Sequence, residues 1–294
     1  MSLRLEMLQV ARLAPRMLGE AGDLVADFLR SQLNDDGGFK NRAGTSDIYY
    51  SVFGLEGLLA LRADFPHERI ANYLKTVGHV DSLDLVHVCC LARCWANLPS
   101  AYRDLAPNSH MLARIEAFRS DDGGYNTIAK QPQGTTYGCF LAAAGCGDAQ
   151  GDMPNPQGVL NCLATLKCPD GGYANMVEVP VGLTPSTAAV ATLLRHLGQP
   201  TPPGLSDWLL SRCSPAGGFL AIPEAPIPDL LSTATALHAL AGMQVDFSAI
   251  KERCIDFIDT LWTNRGSFYG NWTDDMLDCE YTYYGLLALG HLSL

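Results

Sequence analysis

The chain is short of charge, and of positive charge most of all. Only 17% of its 294 residues are charged, and 20 Lys and Arg against 31 Asp and Glu leave a net charge of −11. Phosphate backbones and anionic lipid surfaces are held by clustered cations, so nucleic acid is excluded as a partner and the acidic exterior reads as solubility. The final apolar run, YTYYGLLALGHLSL from Tyr281, falls short of the roughly 20 residues that cross a bilayer. At the other end Arg4, Glu6, Arg12, Arg16 and Glu20 interrupt every apolar stretch, which leaves no signal-peptide core. There is no CxxC pair. The ten cysteines sit largely inside apolar runs (Cys89, Cys90, Cys94, Cys139, Cys162, Cys279), the pattern of reduced, buried thiols in a cytoplasmic protein. Neither GxxxxGK nor GxGxxG is present, so the glycine pairs are not phosphate loops.

What the chain does have is apolar material, 48% of its residues, and a repeat. DDGGF ends at Phe39, DDGGY at Tyr125, PDGGY at Tyr173, PAGGF at Phe219 and NRGSF at Phe268. The gaps are 86, 48, 46 and 49 residues, so the first conceals a copy that has lost its glycines. An apolar run after each loop places all six copies: DIYYSVFGL at Asp47, DLVHVCCLA at Asp84, GTTYGCFLA at Gly134, TPSTAAVAT at Thr184, DLLSTATAL at Asp229 and DCEYTYYGL at Asp278. Asp and Thr at or near the start of these runs are favoured helix N-caps.

These runs are apolar nearly all round and rich in small residues, as a helix buried on every side should be. The segments before the glycines, such as GDLVADFLRSQ and ERIANYLKTV, space their apolar residues at three and four with charges between, the pattern of a surface helix. The fold class is therefore all-α: a single α/α toroid, a six-hairpin α6/α6 barrel with repeats at about 20–61, 62–98, 105–146, 156–198, 203–243 and 248–294. The glycine pairs Gly37-Gly38, Gly123-Gly124, Gly171-Gly172 and Gly217-Gly218 are expected as helix C-caps with positive φ.

With these repeats the sequence resembles the β subunits of protein prenyltransferases and, more distantly, the squalene cyclase group, from about residue 20 to the end. The resemblance implies transfer of an isoprenoid group from a prenyl diphosphate, an apolar cavity for the isoprenoid tail, a catalytic zinc held by Asp, Cys and His, and a partner subunit. Arg42, Asp47, Tyr50 and Ser51 match the family's zinc-repeat pattern, with Tyr49 where the family has its cysteine, and His87 stands where the zinc histidine does. The last pair of repeats, where the family puts its zinc, offers Asp229, Leu231 and Tyr281, and the diphosphate histidine corresponds to about Pro132.

On this resemblance Asp47, Asp84, His87 and Asp278 are the catalytic candidates and Arg42, Tyr49, Tyr50, Tyr137 and Tyr281 the substrate-binding ones. Asp47 and His87, with Cys90 one turn along, are the metal candidates. Each has a plainer reading: the aspartates as N-caps, His87 as a hydrogen-bonded core residue, the tyrosines (Tyr283 and Tyr284 among them) as packing at one level of the barrel. The expected ligand is a prenyl diphosphate or another elongated apolar molecule. The alternatives are a toroid that binds lipid or protein without catalysis, or a terpene cyclase relative. The latter lacks the DxDD acid, since DSLD at Asp81 has the wrong spacing. AGCGDAQG around Cys146 is one residue too long for a GCGEQ thioester.

Overall fold

The computed structural model describes residues 2–294. Among them are fifteen α-helices, twelve of which alternate between two layers. The inner layer is α4 (Ile48–Ala60), α6 (Leu85–Ala96), α9 (Thr136–Asp148), α11 (Thr184–His196), α13 (Leu230–Gly242) and α15 (Cys279–Leu292). Each packs on the next, and α15 packs back on α4, closing a toroid. Outside lie α3 (Ala21–Ser31), α5 (His67–Thr76), α8 (Asn108–Glu116), α10 (Pro156–Thr165), α12 (Leu205–Leu210) and α14 (Ser248–Leu261). The short α2 (Pro15–Leu18) and α7 (Ser100–Arg103) are connectors, and α1 (Leu3–Ala11) packs on α4, α9 and α15.

The two layers differ as their patterns demand. In α3 the buried residues are Val25, Ala26, Phe28 and Leu29, one face only. In α4 ten of thirteen residues are buried, because other helices flank it on every side but the hollow. Five of the inner helices begin with a side-chain cap: Asp47, Asp84, Thr135, Asp229 and Asp278 each accept the backbone N–H two or three residues on. The exception is α11, capped by Leu183 with Pro185 in its first turn.

The glycine pairs are not helix C-caps. Outer helix α3 ends at Ser31 with a right-handed cap at Gln32, and Gly37 lies beyond it, in a tight turn where its N–H donates to Asn34 O at 3.0 Å. That turn closes a minimal antiparallel pairing, Leu33 with Phe39, that recurs as Arg119–Tyr125, Lys167–Tyr173 and Cys213–Phe219. Positive φ is still what the position needs: Gly37 has φ +96°, and a Cβ there would collide with the Arg69 carbonyl. The turn aims the following aromatic inward. Phe39, Tyr125 and Phe219 are fully buried, and the Phe39 ring fills the space a side chain on Gly54 of α4 would take. The aromatic's own N–H donates to a hydroxyl four residues past the cap: Phe39 to Ser51, Tyr173 to Thr187 and Phe219 to Thr233, each at 2.9 Å. All ten cysteines are free thiols. No helix of the described residues is long and apolar enough to cross a membrane.

Candidate functional site

The ring encloses a cavity of about 270 Å³, just under the roughly 300–1,000 Å³ of typical small-molecule pockets. Its lining follows the helical period. The second residue after the cap faces the hollow in five of the six inner helices: Tyr49, Tyr137, Pro185, Leu231 and Glu280. One turn deeper come Val52, Phe53, Cys89, Cys90, Phe140, Leu141, Ala188, Ala189, Thr235 and Tyr284. A further turn down are Arg93, Ala144, Thr192 and His238, with Asp148 and Met7 at the floor. Residues three and four apart share a helix face, so one cavity-facing position fixes the rest.

The upper wall is aromatic. Tyr49 meets Phe53 edge-on at 5.1 Å between centroids, and Phe53 meets Tyr284 at 5.6 Å. Glu280 sits among these rings, and the Tyr49 hydroxyl donates to its Oε1 at 2.6 Å. Burial pushes the Glu280 carboxyl up to about 7; the Tyr49 hydrogen bond opposes this and nearby Asp278 adds to it. At neutral pH a large share of Glu280 is therefore the neutral acid, with Oε2 free of the Tyr49 bond.

Charged groups at the lower end are tied to one another. Arg93 donates to both Glu56 oxygens, at 2.6 and 2.5 Å, and Asn97 reaches Glu56 Oε1 at 3.1 Å. From α1, Arg4 donates to Asn97 at 2.6 Å and to Asp148 at 3.1 Å. Burial pushes the Asp148 carboxyl up to about 6 against Arg93 and Arg4. Burial also lowers His238 to about 4, so its ring is neutral.

Of the residues singled out in the sequence, Tyr49 and Tyr137 line the cavity, as does Cys90. Arg42 and Asp278 meet where the first and last repeats close the ring: Arg42 Nε donates to Asp278 Oδ2 at 2.8 Å and Nη2 to Asp274 at 2.8 Å, while the guanidinium lies 5.6 Å over Tyr281. They form a rim, outside the hollow. Asp278 is spent twice over, since its Oδ1 also caps α15. Asp47 caps α4 through Tyr49 N at 2.8 Å. Asp84 and His87 bond each other at 2.7 Å, with side chains about half exposed, away from the cavity. Nor do the tyrosines share one level. Tyr50 and Tyr281 are not among the cavity-lining residues, Tyr284 lies a turn below Tyr49, and Tyr283 is fully buried outside the hollow, because successive helical residues point 100° apart.

These donors do not fit a zinc site. Among the described residues no three His, Cys, Asp or Glu side chains gather as a metal-holding group. Glu280, Arg93, Asp148 and His238 escaped sequence reading. Glu280 had a signal: it is the second residue after the cap in DCEYTYYGL, the position Tyr49 holds in DIYYSVFGL.

Residues 17–90, 98–200 and 186–293 match the sequence model of the prenyltransferase α/α toroid domain. The chain belongs to that family. Its architecture is similar to that of the type II terpene cyclase MstE from Scytonema, solved with its substrate geranylgeranyl dihydroxybenzoate, at 14% identity and a TM-score of 0.65 over 95% of this chain and 97% of that one. It is also similar to Candida albicans protein geranylgeranyltransferase-I complexed with GGPP (14%, TM-score 0.51, 98% of this chain and 82% of that one). A protein from Actinoplanes aligns at 17% identity and a TM-score of 0.57, over 93% of this chain and 98% of that one. At such identities the likeness concerns the fold. Comparison with curated proteins finds no match.

Proposed function

We propose that this prenyltransferase-family toroid takes an uncharged, elongated apolar substrate of isoprenoid type into its cavity, where Glu280 protonates a carbon–carbon double bond. The carrying observation is Glu280 itself, a carboxyl held near neutrality by burial and opening onto an otherwise aromatic wall. In the step, the Glu280 O–H bond breaks and a C–H bond forms from the alkene's π pair. The carboxylate left behind keeps the Tyr49 hydrogen bond, which stabilises it. The carbocation faces the rings of Tyr49, Phe53, Tyr137, Phe140 and Tyr284, whose electron-rich faces favour a cation. Isomerisation or ring closure ends when the cation returns a proton to the carboxylate. The substrate of the terpene cyclase neighbour, geranylgeranyl dihydroxybenzoate, likewise carries a long isoprenoid chain.

Prenyl transfer from a diphosphate is the second reading, favoured by Arg42, a partly exposed cation at the rim. Asp274 and Asp278 already hold that cation, and Asp47, Asp84 and Glu280 add further carboxyl groups at the same end of the barrel. A diphosphate would meet more repulsion than clamp. Incubation with uncharged polyenes in D2O separates the readings: protonation puts one solvent deuterium into the product, and Glu280→Gln abolishes it. Turnover only of prenyl diphosphates, with diphosphate released and no deuterium gained, would establish transfer instead. Binding without turnover of either would leave a lipid-binding toroid.

A further inference from the structure

The floor of the cavity carries chemistry that the protonation step does not use. Eight buried side-chain N or O atoms among the described residues have no hydrogen-bond partner, and two belong to cavity-lining residues: Asp148 Oδ2 and His238 Nε2. Both lie in the lower half of the hollow, under α1. His238 Nε2 has Glu6 Oε1 at 3.7 Å, just beyond bonding reach. Asp148 Oδ2 has no hydrogen-bond partner at all. Its side chain is 2% exposed and its other oxygen is taken by Arg4.

A buried carboxylate oxygen without a donor is costly, and such atoms mark places where a ligand or water completes the structure. The charges around it say what kind. Two cations, Arg4 and Arg93, are matched by two carboxylates, Glu56 and Asp148, and Glu6 pairs with Arg195 alongside. The floor is balanced, so a charged head group would be left uncompensated there. A neutral donor fits.

The geometry points to Asp148 as the recognition site for a neutral hydroxyl: the apolar chain seated in the barrel ends in an alcohol or phenol whose O–H donates to Asp148 Oδ2 at the floor. This rests on the cavity being the site of an apolar substrate, and not on Glu280 being its acid. It makes the substrate bifunctional, with the hydroxyl at the α1 end and the reacting double bond one or more helical turns above it, beside Glu280.

Farnesol and its methyl ether test the assignment, since they differ by the one donor. Calorimetric titration of the wild-type chain should show farnesol binding about 10- to 100-fold more tightly, the effect of a hydrogen bond to a charged group. In Asp148→Asn the amide oxygen can still accept from Arg4 while the NH2 takes the place of Oδ2. That variant accepts the ether as well, and the preference should collapse to within about threefold. Equal affinities in the wild type, or a preference that survives Asp148→Asn, would overturn the assignment and leave Asp148 Oδ2 to a buried water, with the cavity reading intact. If neither compound bound, the cavity reading would fall too.

Discussion

At the mouth of the barrel the helix-capping contacts are short in sequence and repeated. Asp47 caps through Tyr49, Asp84 through His87, Asp229 through Ser232 and Asp278 through Tyr281, all within three residues. At the floor they are long and unique: Arg4 reaches Asn97 and Asp148, 93 and 144 residues away, and Arg93 reaches Glu56 across 37. The helix starts of the mouth are therefore set by local rules stamped out repeat by repeat, whereas the floor is a single network that, like the Tyr49–Glu280 and Arg42–Asp278 bonds at the closure, exists only once distant repeats meet. The proposed function divides along the same line, with an acid and aromatic rings near the mouth and a charge-balanced hydrogen-bonding group at the base.

Four substitutions test that division, in falling order of expected effect. Glu280→Gln should lower turnover of an uncharged polyene by about 10²- to 10⁴-fold, the usual contribution of a general acid, while binding of the substrate in equilibrium titrations stays within about threefold. Its stability has a signature too. With a folded-state pKa raised from 4.5 to about 7, the folded chain keeps a proton that the unfolded chain releases, so this group's contribution weakens as pH rises across that window. Thermal melts of Glu280→Gln against wild type should show the mutant gaining as pH rises from about 4.5 to about 7, the span of the shift.

Glu56→Ala attacks the floor. It strands Arg93, whose side chain is 17% exposed against none for Glu56, and should cost about 3–5 kcal/mol in denaturant unfolding. A loss under about 1 kcal/mol would mean the network is not a unit. Gly37→Ala at the mouth forces a Cβ into the Arg69 carbonyl at φ +96° and should cost about 1–3 kcal/mol. Asp84→Ala removes a cap worth about 1 kcal/mol and should leave turnover unchanged, because neither Asp84 nor His87 faces the hollow. A large loss of activity there would restore the pair as catalytic.

The same contrast explains what was legible. The toroid could be read from the glycine turns, the wedge aromatics and the alternation of amphipathic with all-round apolar helices, since each is a local pattern. The caps were legible as well, and they drew attention to Asp47, Asp84 and Asp278, which point their oxygens back at their own helices. The chemistry we propose lies two positions further on, at Glu280 and Tyr49, where the helical twist turns the side chain inward. Comparing the second position of all six runs would have found it. Nothing comparable existed for Asp148, Arg93 or His238. Their meaning depends on partners from other repeats and from α1, and no spacing within the chain announces those.

On the proposed function a neutral carboxylic acid, Glu280, waits in an apolar cavity. Infrared difference spectra between wild type and Glu280→Gln, taken across pH, measure that group alone. The wild type should show a protonated carboxyl band that is full at pH 5 and fades with a midpoint near 7. A carboxylate signal already complete at pH 5 would contradict it, and the proposed proton donor would be gone.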